Sequence, residues 1–109
     1  MVMNRRKKGN SKDSSFLSEL VLLRNDPELL DEVIPLAEEG DANAQYALGL
    51  IYAEGRGVKI DLARAYMWLS RAVDQGDIDA RDLRHVVVEH MTEADMVSAE
   101  LLLSGQQLH

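Results

Sequence analysis

The sequence contains no cysteine, only two prolines and few aromatic residues. These shortages restrict the chemistry that the chain can perform and the residues from which its core can be built. Without cysteine, disulfides, thiolate metal ligands and a cysteine nucleophile are excluded within these 109 residues. Aromatic residues make up 5% of the chain, so the core must rely on Leu, Val, Ile, Ala and Met. Abundant leucine and alanine favour helices, and the length favours a single domain.

Positive charge is scarce over most of the chain and is concentrated near its start. The first twelve residues contain no acid and five of the twelve basic residues: Arg5, Arg6, Lys7, Lys8 and Lys12. The other seven basic residues stand against nineteen acids, which gives the rest of the chain a charge of −12 and the whole chain −7. Because an acidic body repels phosphate groups, we expect no nucleic-acid partner for it.

Residues 1–14 are predicted to be a disordered, solvated basic tail. The functional alternative is a weak electrostatic arm for nucleic acid, acidic lipid or the acidic body of another copy. A secretory signal would need an apolar stretch of about 7–15 residues after the basic start, but residues 9–15 are polar. No segment approaches the length of a transmembrane helix. We therefore expect a cytoplasmic protein with no membrane span.

Two helices are predicted before the central part of the chain. The first covers about residues 15–23 and is amphipathic. The second begins at Pro27 with Asp26 as its N-cap and runs to about residue 39. Pro35 lies inside the second helix and should kink or split it, because proline lacks the N–H that a helix interior requires.

A repeat with an offset of 36 residues follows. The matching positions are Gly40 and Gly76, Asp41 and Asp77, and Ala44 and Ala80. Periods of about 20–50 residues are typical of helical solenoids. One period is predicted to hold two antiparallel helices, the first over about residues 41–54 and the second after Asp61, its N-cap. Gly49 should let the two helices approach closely, and Gly55 and Gly57 should permit the turn between them.

The central residues resemble the Sel1-like repeat family, which belongs to the tetratricopeptide-like helical solenoids. The resemblance covers about residues 36–75 and rests on Ala44, Leu48, Gly49, Tyr52, Gly55, Gly57, Val58, Asp61, Ala65, Trp68, Ala72 and Gly76. After Ala80 it fades, because Arg84 and His85 stand where a leucine–glycine pair is expected. The resemblance implies an all-α protein, a short right-handed solenoid of antiparallel helix pairs. Its repeat domain would span residues 15–109, with one clear repeat and degenerate capping helices on both sides.

A last helix is predicted from Glu93 to about Leu103. Thr92 and Asp95 would form a capping box at its start, with aspartate in place of the usual glutamate or glutamine. This helix is expected to cap the end of the array.

The sequence predicts no catalytic, cofactor or metal site. His85 and His90 are five residues apart, which is off the i, i+4 spacing of two ligands on one helix face. Glu89 lies four residues after His85, but no third ligand accompanies them. Carboxylates are abundant, and no pair of them is distinguished for acid–base chemistry. The sequence also lacks a phosphate-binding glycine-rich loop.

The family resemblance implies a non-enzymatic adaptor that binds another protein through the concave face of the repeat. Five residues are predicted to lie on the non-core face of the repeat's first helix and to contact the partner. They are Asn43, Tyr46, Ala47, Leu50 and Glu54. Because the body is acidic, the partner is expected to present a basic surface or peptide.

Surplus apolar residues in the last two helices support an alternative function. Val86, Val87 and Val88 are consecutive and cannot all lie on one side of a helix, so some of them should be exposed. The alternative is a self-associating structural or regulatory protein whose solenoid is completed by homodimerisation through the C-terminal helices.

Overall fold

A computed structural model describes residues 17, 21 and 27–105, and its continuous part is built from five helices. In chain order they are α1 (Pro27–Glu38), α2 (Ala42–Glu54), α3 (Leu62–Asp74), α4 (Ile78–His90) and α5 (Glu93–Gly105). Residues 27–105 contain no strand, which confirms the predicted all-α helical-repeat class. Leu17 and Val21, within the helix predicted upstream, are helical and buried. The tail predicted over residues 1–14 lies outside the described residues.

Short polar side chains begin the last four helices. The carboxylates of Asp41, Asp61 and Asp77 accept hydrogen bonds from the backbone N–H groups of Ala44 (3.1 Å), Arg64 (3.0 Å) and Ala80 (2.9 Å). Thr92 and Asp95 form the predicted capping box of α5, each side chain accepting from the other residue's N–H at 3.0 Å. Each bond satisfies an N–H group that a helix start leaves unpaired, and the aspartate charges complement the helix dipole.

The 36-residue repeat reappears in the hydrogen bonds of the turns. In each copy, a glycine and the aspartate after it donate back to the last turn of the preceding helix. These backbone bonds join Gly40 to Ala37 (3.0 Å), Asp41 to Leu36 (3.1 Å), Gly76 to Val73 (2.8 Å) and Asp77 to Ala72 (3.1 Å). Gly40 and Gly76 adopt φ angles of 105° and 92°, a conformation that glycine adopts without strain.

The helices α2 and α3 form the centre of the fold. α2 contacts α1, α3 and α4, and α3 contacts α4 and α5. Gly49 on α2 lies directly against Leu69 on α3, so a methyl group on Gly49 would overlap the Leu69 side chain. The close approach predicted from this glycine is therefore confirmed. Gly55 caps α2 in the left-handed conformation (φ 70°), also as predicted.

Pro35 does not split α1, so that part of the prediction is wrong. The helix begins at Pro27, as expected, and continues through Pro35 to Glu38. Pro35 is exposed and stands in the last turns of the helix, so the missing N–H removes a hydrogen bond close to the helix end. The residues before it, Leu29 and Val33, are buried and hold α1 against the core.

A buried glutamine links three parts of the repeat. Gln45 is 3% exposed, and its amide nitrogen donates to the backbone carbonyl of Ala37 at the end of α1 (3.1 Å). Its amide oxygen accepts from Gln75 after α3 (2.8 Å), and Gln75 also donates to the carbonyl of Gly40 (2.8 Å). The ends of α1 and α3 are thereby tied to the first turn of α2.

The second period departs from the first after α4. Residues 55–61 connect α2 to α3, whereas only Met91 and Thr92 connect α4 to α5. In addition, His85 occupies the repeat position of Gly49, so a helix cannot approach α4 there as closely as α3 approaches α2. As a result α5 packs against α3, and its contact with α4 is minor.

Arg84 takes the repeat position of Leu48 and finds polar and aromatic partners on α3. Its guanidinium donates to the buried hydroxyl of Ser70 (3.0 Å) and lies 5.6 Å from the centre of the Tyr66 ring. A cation over an aromatic face is electrostatically favourable. Arg84 thus stands where the first copy has Leu48, and its polar contacts with α3 take the place of apolar packing. The sequence pattern is lost at this position, but α4 still contacts α3 there.

Candidate functional site

The five predicted partner-binding residues lie on α2, and only three of them offer surface. Asn43 and Tyr46 are half-buried and Glu54 is exposed. By contrast, Ala47 is 0% exposed and Leu50 is 8% exposed. The expectation that Ala47 and Leu50 lie on the non-core face is therefore wrong. A partner-binding role for the other three stays a prediction.

The burial of Ala47 and Leu50 follows from the position of α2 within the array. Both belong to a core cluster that includes Leu17, Val21 and Val33, which all precede the repeat. A helix inside an array of helices has neighbours on several sides, so its apolar residues extend beyond the single stripe expected of a surface helix. The face of α2 that is left open is correspondingly narrow.

Tyr46 stands at the open edge of α2 beside acidic residues. Burial raises the pKa of the Tyr46 phenol above its ordinary value of 10.0. Neighbouring carboxylates raise this pKa further, in the order Asp79, Asp77 and Glu54. These acids come from the start of α4 and the end of α2, two helices that contact each other. The aromatic ring packs against both buried clusters of the fold.

We expect the stability of the fold to decline in alkaline solution because of Tyr46. A phenol whose pKa is higher in the folded state stabilises the fold below about pH 10 and loses that contribution as pH rises through the folded pKa. Burial also raises the pKa of Tyr52, so two phenols act in the same direction. Urea unfolding of the wild type and Tyr46→Phe between about pH 9 and pH 12 measures the effect. An equal decline in both proteins would contradict the assignment to Tyr46.

A groove between α1, α3 and α5 forms a second open surface, with a volume of about 720 Å³. Its apolar lining comes from Ile34, Tyr52, Ala63, Met67, Trp68, Leu101 and Leu102. Trp68 is the single tryptophan of the chain and is 6% exposed. Trp68 nevertheless lines the groove. The guanidinium of Arg71, which is not part of the lining, lies 5.0 Å from the centre of the Trp68 ring.

The rim of the groove is mostly acidic. Glu38 lies on the α1 side, Asp95 on the α5 side, and Asp61 at the start of α3. Arg64 is the basic residue of the lining, and its guanidinium is 2.8 Å from the Asp61 carboxylate. Since this pair is internally neutral, Glu38 and Asp95 leave the rim with a net negative charge. Sequence reasoning missed the groove because it depends on where α5 packs, which no local pattern indicates.

The described histidines offer no metal site. His85, Glu89 and His90 are all exposed along α4, and His90 lies 3.1 Å from the carbonyl of Val86 on its own helix. Within the described residues, no three His, Asp or Glu side chains are grouped so that they could hold a metal ion. His109 lies outside the described residues.

The helices of residues 27–105 are 12 or 13 residues long, and none of them could cross a membrane. A spanning helix needs about 20 apolar residues. The predicted cytoplasmic location stays a prediction.

The repeat signature occupies the positions that hold α2 and α3 together. Ala44, Leu48, Ala65 and Ala72 are fully buried, and Asp61 caps α3. The family model of the Sel1 repeat matches residues 42–77, from the first residue of α2 to the N-cap of α4. Residues 42–77 form a Sel1 repeat. Sel1 repeats are, in general, protein–protein interaction modules.

Two curated proteins similar to this Sel1-repeat chain are much longer than it. The alginate biosynthesis protein AlgK of Azotobacter vinelandii is 36% identical over 78 residues, which cover 72% of this chain and 17% of AlgK. The ERAD-associated E3 ubiquitin-protein ligase component HRD3A of Arabidopsis thaliana is 42% identical over 48 residues, 43% of this chain and 7% of HRD3A. The chain therefore spans a small part of either relative. No solved structure matches it at a comparable level.

Proposed function

We propose that the chain is a non-enzymatic module that binds a basic protein segment at the face around Tyr46. The observation that carries this proposal is the position of the Tyr46 phenol among the carboxylates of Asp77, Asp79 and Glu54. Tyrosine contributes a large contact area together with a polar group, and it is enriched among the residues that dominate binding energy. The charges of Asp77 and Asp79 favour a partner that presents lysine or arginine, while the Glu54 carboxylate already pairs with Arg56 at 2.7 Å.

The array itself supports an interaction role for this face. α2 and α4 contact each other directly, so side chains from two successive periods meet around Tyr46. The phenol ring packs against both buried clusters, which limits its freedom before any partner arrives. A side chain that is already ordered loses less conformational entropy on binding. The name of HRD3A describes a component of a ubiquitin ligase, which also fits a repeat that works within assemblies.

Charge reversal on this face should abolish partner capture without unfolding the protein. In Glu54→Lys/Asp79→Lys both changed residues are exposed, and the matched control Glu93→Lys/Glu100→Lys changes net charge equally at exposed positions of α5. Chemical crosslinking in an extract of the source organism, followed by mass spectrometry, identifies partners of the wild type and of both variants. A basic partner lost only in the Glu54/Asp79 variant supports the proposal. Equal capture by the wild type and both variants would contradict it.

Self-association is the second candidate function, and exposed apolar residues of α4 and α5 favour it. Val86 is 50% exposed and Val88 42%, while Leu101 on α5 is 66% exposed. Contiguous exposed apolar patches often mark protein–protein interaction sites. Val87, between the two exposed valines, is buried and belongs to the core. Val86 and Val88 lie on different sides of α4, so a homodimer would use one of these two valines and not Val87.

A further inference from the structure

The groove between α1, α3 and α5 has a floor suited to apolar side chains. Met67 and Trp68 lie at its base, and Leu101 stands on the α5 side with 66% of its surface exposed. Burying such a side chain stabilises a complex by about 25 cal/mol for each Å² of apolar surface removed from water. An occupant of this groove would therefore carry apolar side chains.

The acidic rim adds a second requirement for the occupant. Glu38 and Asp95 stand on opposite walls of the groove, and Arg64 is already paired with Asp61. A segment lying in the groove would meet a carboxylate on either side. Lysine or arginine next to the apolar side chains could form ion pairs with both carboxylates, whereas an acidic segment would be repelled.

One segment of this chain has that chemistry. Val2 and Met3 are apolar and are followed by four consecutive basic residues, Arg5, Arg6, Lys7 and Lys8. No other stretch of the sequence contains four consecutive basic residues. Residues 13–109 carry a charge of −12, so the same segment is attracted by the body to which it is joined.

The connection to the body is long enough for docking within one molecule. Leu17 belongs to the core cluster that contains Val33, and Ile34 of the same helix lines the groove. Leu17 comes nine positions after Lys8, and a chain of that length can span up to about 30 Å when extended. That reach exceeds the length of α1, which is about 18 Å for its 12 residues.

We propose that residues 2–8 dock in this groove of their own molecule. In this arrangement Val2 and Met3 contact Met67, Trp68 and Leu101, and the basic residues contact Glu38 and Asp95. The proposal uses a different surface from the one around Tyr46, so the two proposals can fail independently. Docking in this way would shield the groove from other basic segments.

A fluorescent label near Trp68 tests the docking in the full-length chain. Because the protein has no cysteine, Met3→Cys can be labelled at one position with bimane, a dye that tryptophan quenches on contact. We expect the labelled protein to be quenched at low salt, and the quenching to be lost in Trp68→Phe. It should also be lost when Arg5, Arg6, Lys7 and Lys8 are replaced by serine, and in about 1 M salt, where the Debye length falls to about 3 Å.

The result that would overturn the proposal is bimane fluorescence equal in the labelled protein and its Trp68→Phe counterpart. Quenching that survives removal of the four basic residues would also overturn it, because the rim would then have no role. Quenching that grows with protein concentration would assign the contact to a second copy. Circular dichroism of each variant shows that the fold is retained. The Glu54→Lys/Asp79→Lys variant should be quenched like the wild type, which separates this test from that of the proposed function.

Discussion

Replacing Gly49 with alanine should destabilise the fold by about 1–3 kcal/mol, the usual cost of forcing an extra methyl group into a packed core. Helix propensity alone predicts the opposite sign, since alanine is favoured over glycine within a helix by about 1 kcal/mol. Packing decides the outcome here. The new methyl group would overlap the side chain of Leu69, which is 0% exposed and surrounded by core residues. Urea unfolding followed by circular dichroism measures the change.

Gly105 provides the matched control, because it is also a helical glycine. A methyl group at Gly105 would meet no atom within 4 Å, and this glycine does not have a positive φ angle. Gly105→Ala should therefore stabilise the protein slightly, by up to about 0.5–1 kcal/mol. Opposite signs at the two glycines would show that contact with Leu69 is responsible. If Gly49→Ala were as favourable as Gly105→Ala, the close packing of α2 and α3 would be contradicted.

A double-mutant cycle with Leu69→Ala isolates the contact further. Leu69→Ala alone should cost about 2–5 kcal/mol, because it removes a large buried side chain and leaves a cavity. In the double variant, the methyl group on residue 49 no longer meets the leucine. The cost of Gly49→Ala should therefore shrink in the Leu69→Ala background. Additive costs would mean that the two residues do not interact.

The helix boundaries could be predicted from the sequence because they depend on neighbouring residues. Asp41 and Asp61 cap helices through bonds to N–H groups three residues away, and Gly55 ends α2 with a positive φ angle. The repeat offset added information of longer range, since it matched two turns that share one hydrogen-bond pattern. The sequence predicts these caps and turns correctly because each of their hydrogen bonds joins residues only three to five positions apart.

The open surfaces could not be predicted in the same way, because they depend on which helices become neighbours. Ala47 and Leu50 are buried by residues that precede the repeat, a contact that the pattern within α2 does not reveal. The groove exists because α5 packs against α3 instead of returning along α4. His85 and the two-residue link after α4 account for this position of α5. Neither feature of the sequence, however, indicates by itself which helix α5 will contact.

Replacing Val87 with aspartate should destabilise the fold by about 3–5 kcal/mol, the range found when a buried charge is left without a partner. Val87 is 3% exposed and packs with Ala65, Leu69 and Ala80. This loss is a large share of the total stability of a small domain, which is about 5–15 kcal/mol. Burial would raise the pKa of the new carboxyl group, so part of the loss should be recovered at acidic pH, where the group is neutral. Thermal unfolding at neutral and acidic pH measures both effects.

Val86→Asp is the control for folding and also the test of self-association. Val86 is 50% exposed, so its substitution should change the free energy of unfolding by no more than about 0.5 kcal/mol. If the chain forms a dimer through α4 and α5, light scattering should give twice 12.2 kDa for the wild type and a lower mass for Val86→Asp. A wild-type mass of 12.2 kDa at every concentration tested would exclude a dimer and leave the face around Tyr46 as the surface to pursue. Because one valine of the adjacent pair is buried and the other is exposed, the two variants separate a failure to fold from a failure to associate.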